Sequence, residues 1–374
     1  MSTKIVLGTC FGDEGKGQTV SSLCRSKQEL VIRFNGGHQA GHTVILGNKK
    51  HVFSTFGSGT LNGNATFYSK YCTFYPLAFL NELNKLNEIG IEPTFYIDPL
   101  CPVTTSMDVY YNQLLSKRNG HGSVGVGFGT TIQRHEETPY KLYVNDLKYK
   151  EIYEQKLHAI HRYYIQKIRE QDLTAYLYNY DPFNLSRDIK SIQEIRNKYI
   201  VCQLSQIKSA FSDFIFEGAQ GIMLDMDHGF FPNVTRSNTT CKNAVEIIKE
   251  NNLKPPIDTY YVMRSYLTRH GNGYMSNEDN DIELKNTDNE INVENEYQGK
   301  FRKGYHSIQL LKHAISCNRI YSMNRNERLN ITCLDQTDCM ILIDNKKITI
   351  KEFSSLLKNE KFGIEGIFDL SLYK

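Results

Sequence analysis

The chain has 374 residues, and its 44 Lys and Arg residues against 41 Asp and Glu residues give a formal charge of +3. Apolar residues make up 40% of the sequence and charged residues 23%, a balance that is typical of globular proteins and excludes a disordered tail, a coiled coil and a collagen-like chain. A charge so close to neutral argues against a protein that coats nucleic acid.

The sequence also lacks the signals of membrane and secreted proteins. No run of ~18 apolar residues is present, and the first residues do not have the basic, apolar and small-residue order of a signal peptide. Nine cysteines are scattered without a CxxC pair, which favours buried thiols in a reducing compartment over disulfides or a zinc site. We therefore expect a cytoplasmic protein with no membrane or nucleic-acid partner.

Hydrophobic patterns predict strands and helices in alternation along the chain. The predicted strands cover residues 4–7, 30–34, 51–55, 94–97, 213–216, 257–263, 319–322, 330–334 and 340–343. The predicted helices cover residues 17–25, 76–89, 149–171 and 191–210. This alternation predicts an α/β fold in three layers, with helices on both faces of a mostly parallel central sheet. Because no repeat or linker is visible, we expect residues 1–374 to form a single domain with a mobile polar loop near residues 277–300.

A glycine-rich loop with a lysine joins the first predicted strand to the first predicted helix. Its glycines Gly12, Gly15 and Gly17 surround Lys16. Such a loop holds phosphate, because backbone N–H groups and the helix N-terminus supply a positive field and the lysine adds a charge. It is not a standard P-loop, since Cys10 and Gly17 stand where that motif has its first glycine and its Ser or Thr. The sequence thus predicts an unusual phosphate-binding loop and argues against a generic P-loop GTPase switch.

Two carboxylates, Asp13 and Glu14, interrupt this loop. A carboxylate next to phosphate is repulsive unless a metal ion bridges the two or a proton has to be removed there. Asp13 is therefore a candidate Mg²⁺ ligand and a candidate general base. The alternative is that Asp13 or Glu14 only caps the following helix.

Two further polar stretches follow predicted strands. Residues 35–42 form a second glycine-rich loop with His38 and His42, and a histidine is suited to donate a proton to a phosphoryl group. A zinc site would need at least one more ligand. Residues 217–221, Glu-Gly-Ala-Gln-Gly, end a predicted strand. They place Gln220 at the carboxyl edge of the sheet, where ligands bind in open α/β folds.

Together these stretches resemble the adenylosuccinate synthetase family. The family's loops read much like GDEGKG, GGxNAGHT and EGAQG, followed by a YPxVTSSN segment, a YxTRxG turn and a TKLD strand. The corresponding stretches here, in the same order, are residues 12–17, 36–43, 217–221, 232–238, 266–271 and 332–335. The resemblance covers about residues 4 to 340.

The resemblance implies the P-loop-like fold of that family and a ligase that forms a C–N bond. In such a reaction a nucleoside triphosphate phosphorylates O6 of a 6-oxopurine monophosphate, and L-aspartate then displaces the phosphate at C6. By resemblance, Asp13 takes the N1 proton and binds Mg²⁺, and the Gly41 carbonyl joins the metal shell. His42 donates to the transferring phosphoryl group, Lys16 lies along the phosphates, and Gln220 holds the nucleotide.

The resemblance also implies the residues that bind substrates. The nucleotide-binding set is Gly12, Gly15, Gly17, Gln39, Ser123, Val124, Arg134, Thr235 and Asp335. Lys300 and Arg302 represent the family's aspartate-binding loop. An arginine of the family is missing near Val126, and Arg134 is expected to substitute for it by reaching a neighbouring subunit of a homodimer.

Departures from the family pattern leave the choice of nucleotide open. Gln39 replaces an asparagine of the family, and Cys333 replaces the lysine of its TKLD strand. The resemblance is therefore compatible with IMP or dGMP as substrate and with GTP or ATP as phosphoryl donor. One alternative is the phage branch of the family, which acts on dGMP to give N6-succino-2-amino-2'-deoxyadenylate in the host cytoplasm. Another is a catalytically dead relative that only binds nucleotides.

Overall fold

The computed structural model describes residues 2–119, 124–171, 173, 184–287, 299–323, 326–364 and 366–369. Its strands are β1 (Thr3–Gly8), β2 (Glu29–Arg33), β3 (His42–Leu46), β4 (Lys49–Phe53), β5 (Ala65–Tyr68), β6 (Phe95–Ile97), β7 (Ile200–Val201), β8 (Asp213–Gly221), β9 (Ile257–Arg264), β10 (Leu267–His270), β11 (Phe301–Gly304), β12 (Glu327–Thr332), β13 (Met340–Ile343), β14 (Lys346–Thr349) and β15 (Gly366–Asp369). Its α-helices are α1 (Lys16–Leu23), α2 (Pro76–Glu88), α3 (Ser106–Asn119), α4 (Phe128–Glu137), α5 (Lys150–Glu170), α6 (Asn184–Ile195), α7 (Leu204–Ile207), α8 (Lys242–Glu250), α9 (Ile308–Arg319) and α10 (Ile350–Asn359).

The predicted parallel sheet is confirmed. In the described part of the chain nine strands form one sheet in the order β15-β12-β9-β1-β8-β2-β5-β6-β7, and each neighbouring pair is parallel. Strands at the centre contain short runs of consecutive apolar residues, such as residues 5–7 of β1 and 30–32 of β2, and every residue of β2 is buried. Such runs are typical of strands that are covered on both faces.

Helices cover both faces of this sheet. Ile5 and Leu7 of β1 belong to one buried cluster together with Ala244 of α8. Val6, which lies between them, belongs to a second cluster together with Val20 of α1. Because successive side chains of a strand point to opposite faces, these two clusters are separate layers. The predicted three-layer α/β fold is therefore confirmed.

The order of the strands determines where the polar loops meet. β9, β1, β8 and β2 lie side by side and run in the same direction. The loops that follow them consequently leave the sheet at a single edge, the carboxyl edge. The glycine-rich loops and the Glu-Gly-Ala-Gln-Gly stretch therefore gather in one place, although more than 170 residues of sequence separate the first from the last.

Two predicted elements are wrong. The predicted helix over residues 191–210 is interrupted, because α6 ends at Ile195 and the chain adds a short edge strand, β7, beside β6 before the four-residue α7. The predicted strand over residues 319–322 is the end of α9 and a turn in which the Tyr321 N–H donates to the Asn318 carbonyl. Tertiary pairing overrides local propensity in both places.

In the described part of the chain three antiparallel strand pairs stand outside the central sheet, namely β3–β4, β10–β11 and β13–β14. Residues 271–300 separate β10 from β11, and this pair is called the β10–β11 hairpin below. The first residues of the predicted polar loop lie beside β11, where the Asp279 N–H donates to the Lys303 carbonyl, whereas the Lys285 N–H donates to the Gln336 carbonyl in the turn after β12. Residues 288–298 of that loop and the predicted nucleotide ligand Ser123 lie outside the described residues. No described helix has both the length and the apolar character needed to cross a membrane.

Candidate active site

The first glycine-rich loop turns sharply at the end of β1. Gly12, Asp13 and Gly15 all have positive φ, at 98°, 60° and 88°. At Gly15 a side chain is excluded twice, because that φ favours glycine and a Cβ would lie 2.8 Å from the Thr332 Cγ2 atom. The Thr332 hydroxyl also donates to the Glu14 carbonyl at 2.7 Å. The loop is therefore fixed against β12, whose following turn contains the half-buried Asp335.

Glu14 occupies the inside of this loop. Its Oε1 accepts from the backbone N–H groups of Cys10 at 2.9 Å and Gly12 at 3.0 Å. Its Oε2 lies 2.6 Å from Lys16 Nζ, and the two side chains are only 3% and 2% exposed. The helix-cap alternative does not hold for the described residues, since the N-cap residue of α1 is Gly15 and no side chain caps the helix. In this structure the lysine charge is balanced by a carboxylate of the same loop.

Asp13 points its side chain outward from the loop. Its carbonyl accepts from Arg264 Nε, whereas its carboxylate is 27% exposed and lies 3.4 Å from His270 Nε2. A Cβ built at the neighbouring Gly12 would lie 3.7 Å from the Gln220 Cα atom. The Asp13 carboxylate is thus accessible, and the neighbouring Gly12 backbone lies against the strand end that carries Gln220.

His42 forms a buried pair with Glu217 of β8. Its Nδ1 lies 2.5 Å from Glu217 Oε1, and the Ser58 backbone N–H and hydroxyl also donate to this carboxylate. Burial acts to raise the pKa of Glu217, but His42 and Arg33 outweigh it and hold the pKa below its usual value. Burial lowers the pKa of His42 and outweighs the opposing carboxylate. The geometry fixes the ring through Nδ1 and leaves Nε2 for another partner.

Several buried polar atoms at this edge have no hydrogen-bond partner among the described residues. They are Nε2 and Oε1 of Gln39, Oε1 of Gln220, Nδ1 of His38, and Nε and Nη2 of Arg33. Buried polar groups are nearly always paired, so a cluster of unpaired atoms needs an explanation. A polar ligand at the carboxyl edge provides one.

The second loop is tied to its neighbours on both sides. Asn35 bridges to β8, since it donates to the Ala219 carbonyl at 3.0 Å and accepts from the Ala219 N–H at 2.8 Å. Burial lowers the pKa of His38 to about 4, although a hydrogen bond with the backbone of Val126 acts in the other direction. His38 therefore links the second loop to the segment that contains the half-buried Val124. These contacts place Gln39 between three parts of the chain.

Asp225 folds the segment that follows β8. Its buried carboxylate accepts from the backbone N–H groups of Asp227, His228, Thr239 and Thr240. The half-buried Thr235 lies within this segment, and its N–H donates to the Leu224 carbonyl at 2.8 Å.

The structure does not support the predicted role of Arg134 as a nucleotide ligand. It is wholly buried. Its Nε lies 2.9 Å from Asp108 Oδ1, and its Nη2 lies 2.9 Å from Asp108 Oδ2. The remaining donors contact the carbonyls of Val103 and Tyr140 at 2.8 and 2.6 Å. Arg134 therefore joins α4 to α3 inside the subunit. It is not available to bind a nucleotide or to reach a neighbouring subunit.

The two predicted aspartate ligands lie on or beside β11. Lys300 is exposed. Arg302 donates through Nε and Nη2 to both carboxylate oxygens of Glu278, and through Nη1 to the carbonyls of Gly271 and Gly273 at 3.0 and 2.9 Å. A guanidinium has five N–H donors, so these four bonds leave one. In this structure Glu278 thus engages Arg302 on two of its three nitrogens.

Sequence reasoning missed three side chains that shape the site, namely Glu217, His270 and Glu278. Glu217 was detectable, because a carboxylate in the middle of an apolar strand is rare unless it is paired. His270 and Glu278 gave no such signal, since their partners Asp13 and Arg302 are brought to them only by the β10–β11 hairpin and its flanking turns.

The donor set available to Mg²⁺ is small. Asp13 offers a partly exposed carboxylate and Gly41 is exposed at the end of the second loop. Within the described ranges no group of three or more His, Cys, Asp or Glu side chains is arranged to hold a metal ion. Such a sparse set still fits Mg²⁺, which usually keeps several waters and binds one or two carboxylates together with substrate phosphates.

Fold and site together define an α/β protein whose polar loops gather at the carboxyl edge of a parallel sheet, where ligands bind in open α/β folds. The family model described as adenylosuccinate synthetase matches residues 5–346. The chain therefore belongs to the adenylosuccinate synthetase family, whose members are ligases that form a C–N bond. The predicted family and enzyme class are confirmed.

The relatives differ in how much of their length the chain matches. An adenylosuccinate synthetase of Haemophilus influenzae is 28% identical in an alignment that is 384 positions long, gaps included. This alignment covers 98% of this chain and 85% of that one. One of Borrelia turicatae is 32% identical over 252 residues, which cover 64% of this chain and 56% of the relative. The chain thus spans little more than half of the second sequence.

Two solved structures share the fold. The fully ligated adenylosuccinate synthetase of Plasmodium falciparum superposes with a TM-score of 0.69 at 19% identity and covers 88% of this chain and 76% of that one. The succinoaminodeoxyadenylate synthetase of cyanophage S-2L, bound to dGMP and to dATP as an energy donor, superposes with a TM-score of 0.61 at 12% identity and covers 98% and 91%.

Proposed function

We propose that this protein joins L-aspartate to C6 of a 6-oxopurine nucleoside monophosphate, IMP or dGMP, through an O6-phosphoryl intermediate made from GTP or ATP. Family membership supports the reaction class. The observation that carries the proposal is the set of unpaired buried atoms on Gln39, Gln220 and Arg33 at the sheet edge that also carries the accessible carboxylate of Asp13.

Asp13 is the base in this proposal. The carbonyl oxygen of a lactam is a poor nucleophile until the ring N1 loses its proton. When Asp13 takes that proton, O6 attacks the γ-phosphorus and the nucleoside diphosphate leaves. The amine of aspartate then adds at C6, and inorganic phosphate departs with the O6 atom. Proton removal by a positioned carboxylate typically contributes about 10²–10⁴-fold to the rate.

His42 and Lys16 stabilise the charge on the transferring phosphoryl group. With Nδ1 bonded to Glu217, His42 donates through Nε2 when it is protonated, and both the phosphates and Glu217 favour that cation. Lys16 has to exchange Glu14 for a phosphate oxygen, since the two side chains are paired in this structure. The freed backbone N–H groups of Cys10 and Gly12 are then donors for the same anion.

Asp13 and the Gly41 carbonyl would hold Mg²⁺, which when bound neutralises phosphate charge. Gln39 and Gln220 bind the purine or its phosphate through their unpaired amides. The other proposed nucleotide ligands are Gly12, Gly15, Gly17, Ser123, Val124, Thr235 and Asp335. We assign no nucleotide contact to Arg134.

Lys300 and Arg302 bind the carboxylates of aspartate in this proposal. Because Glu278 engages Arg302 on two nitrogens, aspartate binds Arg302 either through its one remaining N–H or by displacing Glu278. Lys300 carries no such constraint, since it is exposed. A homodimer and a cytoplasmic location complete the proposal and rest on the family resemblance.

The second candidate is the phage-type reaction, in which the substrate is dGMP and the product is the precursor of 2-aminoadenine. The likeness in fold to the cyanophage enzyme, which is bound to dGMP, covers 98% of this chain and supports this second candidate. A purine with a 2-amino group needs a hydrogen-bond acceptor and room near C2.

The test is aspartate-dependent phosphate release with purified protein and Mg²⁺. IMP and dGMP are each combined with GTP and with ATP, and every mixture is run with and without aspartate. Release with one pair identifies substrate and donor. No release with any pair, together with tight nucleotide binding, would select the catalytically dead relative and reject the proposed reaction.

A further inference from the structure

A histidine of the β10–β11 hairpin lies against the proposed base. His270 Nε2 is 3.4 Å from Asp13 Oδ2, and the His270 side chain is only 8% exposed. His270 is the last residue of β10 and pairs with Phe301 of β11. Its ring also packs on Phe301 with centroids 5.0 Å apart. The hairpin therefore fixes the imidazole, while the carboxylate that it contacts stays open to solvent.

The backbone and the side chain of Asp13 are held by different groups. Arg264 Nε donates to the Asp13 carbonyl and so anchors the peptide unit. For the carboxylate, His270 is the ion-pair partner found among the described residues. Since the described residues offer the Asp13 carboxylate no other ion-pair partner, it takes its orientation from this buried imidazole.

We propose that His270 is a positioning residue for Asp13. Its Nε2–H donates to Oδ2 and turns Oδ1 toward the N1–H of the purine. The proposal rests on the proposed function for its catalytic meaning. A separation of 3.4 Å is long for a strong hydrogen bond, but catalytic hydrogen bonds are often long before substrate binds and shorten in the productive complex.

This contact couples the two halves of the reaction. The hairpin that carries His270 also carries Arg302, and Lys300 adjoins it through its carbonyl, which accepts from the Gly271 N–H at 3.0 Å. The ring that orients the base and the proposed aspartate ligand Arg302 therefore belong to the same pair of strands. Nucleotide activation and aspartate recognition then depend on one rigid element.

The kinetic test compares His270→Leu with His270→Gln. Leucine removes the donor, whereas the glutamine amide places an N–H near the position of Nε2. We expect His270→Leu to lower kcat about 10-fold with the KM for nucleotide within twofold, because one hydrogen bond to a charged group is lost. His270→Gln should recover most of the rate. The matched control is His158→Leu on the exposed face of α5, which should change neither parameter.

The outcomes separate positioning from packing. Equal losses in both variants, or a raised KM with unchanged kcat, would overturn the proposal. An unchanged kcat in His270→Leu would overturn it as well. Thermal unfolding of each variant shows whether the protein remains folded. If His270→Leu does not fold, the kinetic comparison of His270→Gln with the wild type decides between positioning and packing.

A second measurement needs no activity. In protein labelled with ¹⁵N at histidine, the imidazole resonances of His270 should shift in Asp13→Asn and stay in place in Asp227→Asn, which changes an exposed carboxylate elsewhere. Imidazole resonances of His270 that do not shift in Asp13→Asn would overturn the contact. If the wild-type protein releases no phosphate while this shift is seen, the proposed function fails and the Asp13–His270 contact stands.

Discussion

Two buried arginines of this protein differ in how completely they are bonded. Arg134 is paired with both oxygens of Asp108 and with two carbonyls. Arg33, equally buried, reaches only the carbonyls of Ser54 and Phe56 at 3.4 Å, and its Nε and Nη2 have no partner among the described residues. Complete pairing marks a cluster that holds the fold, whereas the incomplete pairing near His42 and Glu217 supports the ligand site that we propose.

The largest effect that we expect is at the proposed ligand site, in the proposed base Asp13. Asp13→Asn keeps the shape of the side chain and removes the base, so kcat should fall by about 10²–10⁴-fold. Nucleotide binding, measured by titration calorimetry, should persist. The control Asp227→Asn should keep full activity. A kcat for Asp13→Asn within twofold of wild type would contradict the assignment.

The next effect tests the completely paired cluster. Arg134→Met leaves Asp108 buried without its partner and should lower the free energy of unfolding by about 3–5 kcal/mol. Urea denaturation measures it. Arg236→Met, which removes an exposed pair with Glu137, should cost less than about 1 kcal/mol. If Arg134→Met instead leaves the free energy of unfolding unchanged and weakens nucleotide binding, Arg134 is a nucleotide ligand and our assignment is wrong.

Asp188, which accepts hydrogen bonds from Ser106 of α3, should make the stability of the protein depend on pH. Burial, opposed by hydrogen bonds from Ser106 and reinforced by Asp108, raises the pKa of Asp188 from 3.8 to about 7. Between these values the folded protein keeps a proton that the unfolded chain has lost, so stability falls as pH rises from about 4 to 7. The full shift corresponds to roughly 4 kcal/mol.

Asp188→Asn cannot titrate and should flatten this part of the stability curve. Urea unfolding at pH 5 and pH 8 measures the difference for each protein. A decline as steep in the variant as in the wild type would show that another group is responsible. Activity per folded molecule should not change, because Asp188 lies in the completely paired region around α3.

The smallest expected effect concerns the orientation of His42. Glu217→Gln removes the charge that fixes Nδ1 and should lower kcat roughly 10–100-fold, as expected for the loss of about 1.5–3 kcal/mol from a charged hydrogen bond. The chain offers a matched control in Glu82, which also faces a buried histidine, His51, at 3.5 Å and also accepts from a serine. Glu82→Gln should affect stability alone. Equal kinetic losses in both variants would remove the special role of Glu217.

Much of the fold and part of the candidate site could be predicted because their signals are local. The glycine-rich loops and the apolar strands before them are read from consecutive residues, and the parallel order then brings the loops together. Arg134 could not be predicted, since its partner Asp108 lies 26 residues away and is chosen by the packing of α3 against α4. The Glu14–Lys16 pair, though local, was also missed, because the sequence does not show which anion a buried lysine meets.

The most direct test of the proposed chemistry follows one oxygen atom. The purine monophosphate is prepared with ¹⁸O at the 6-position and incubated with aspartate, Mg²⁺ and the nucleoside triphosphate that supports turnover, and the released phosphate is analysed by mass spectrometry. If O6 attacks the γ-phosphorus, every phosphate released carries one ¹⁸O atom. Unlabelled phosphate would mean that water is the acceptor and would contradict the account.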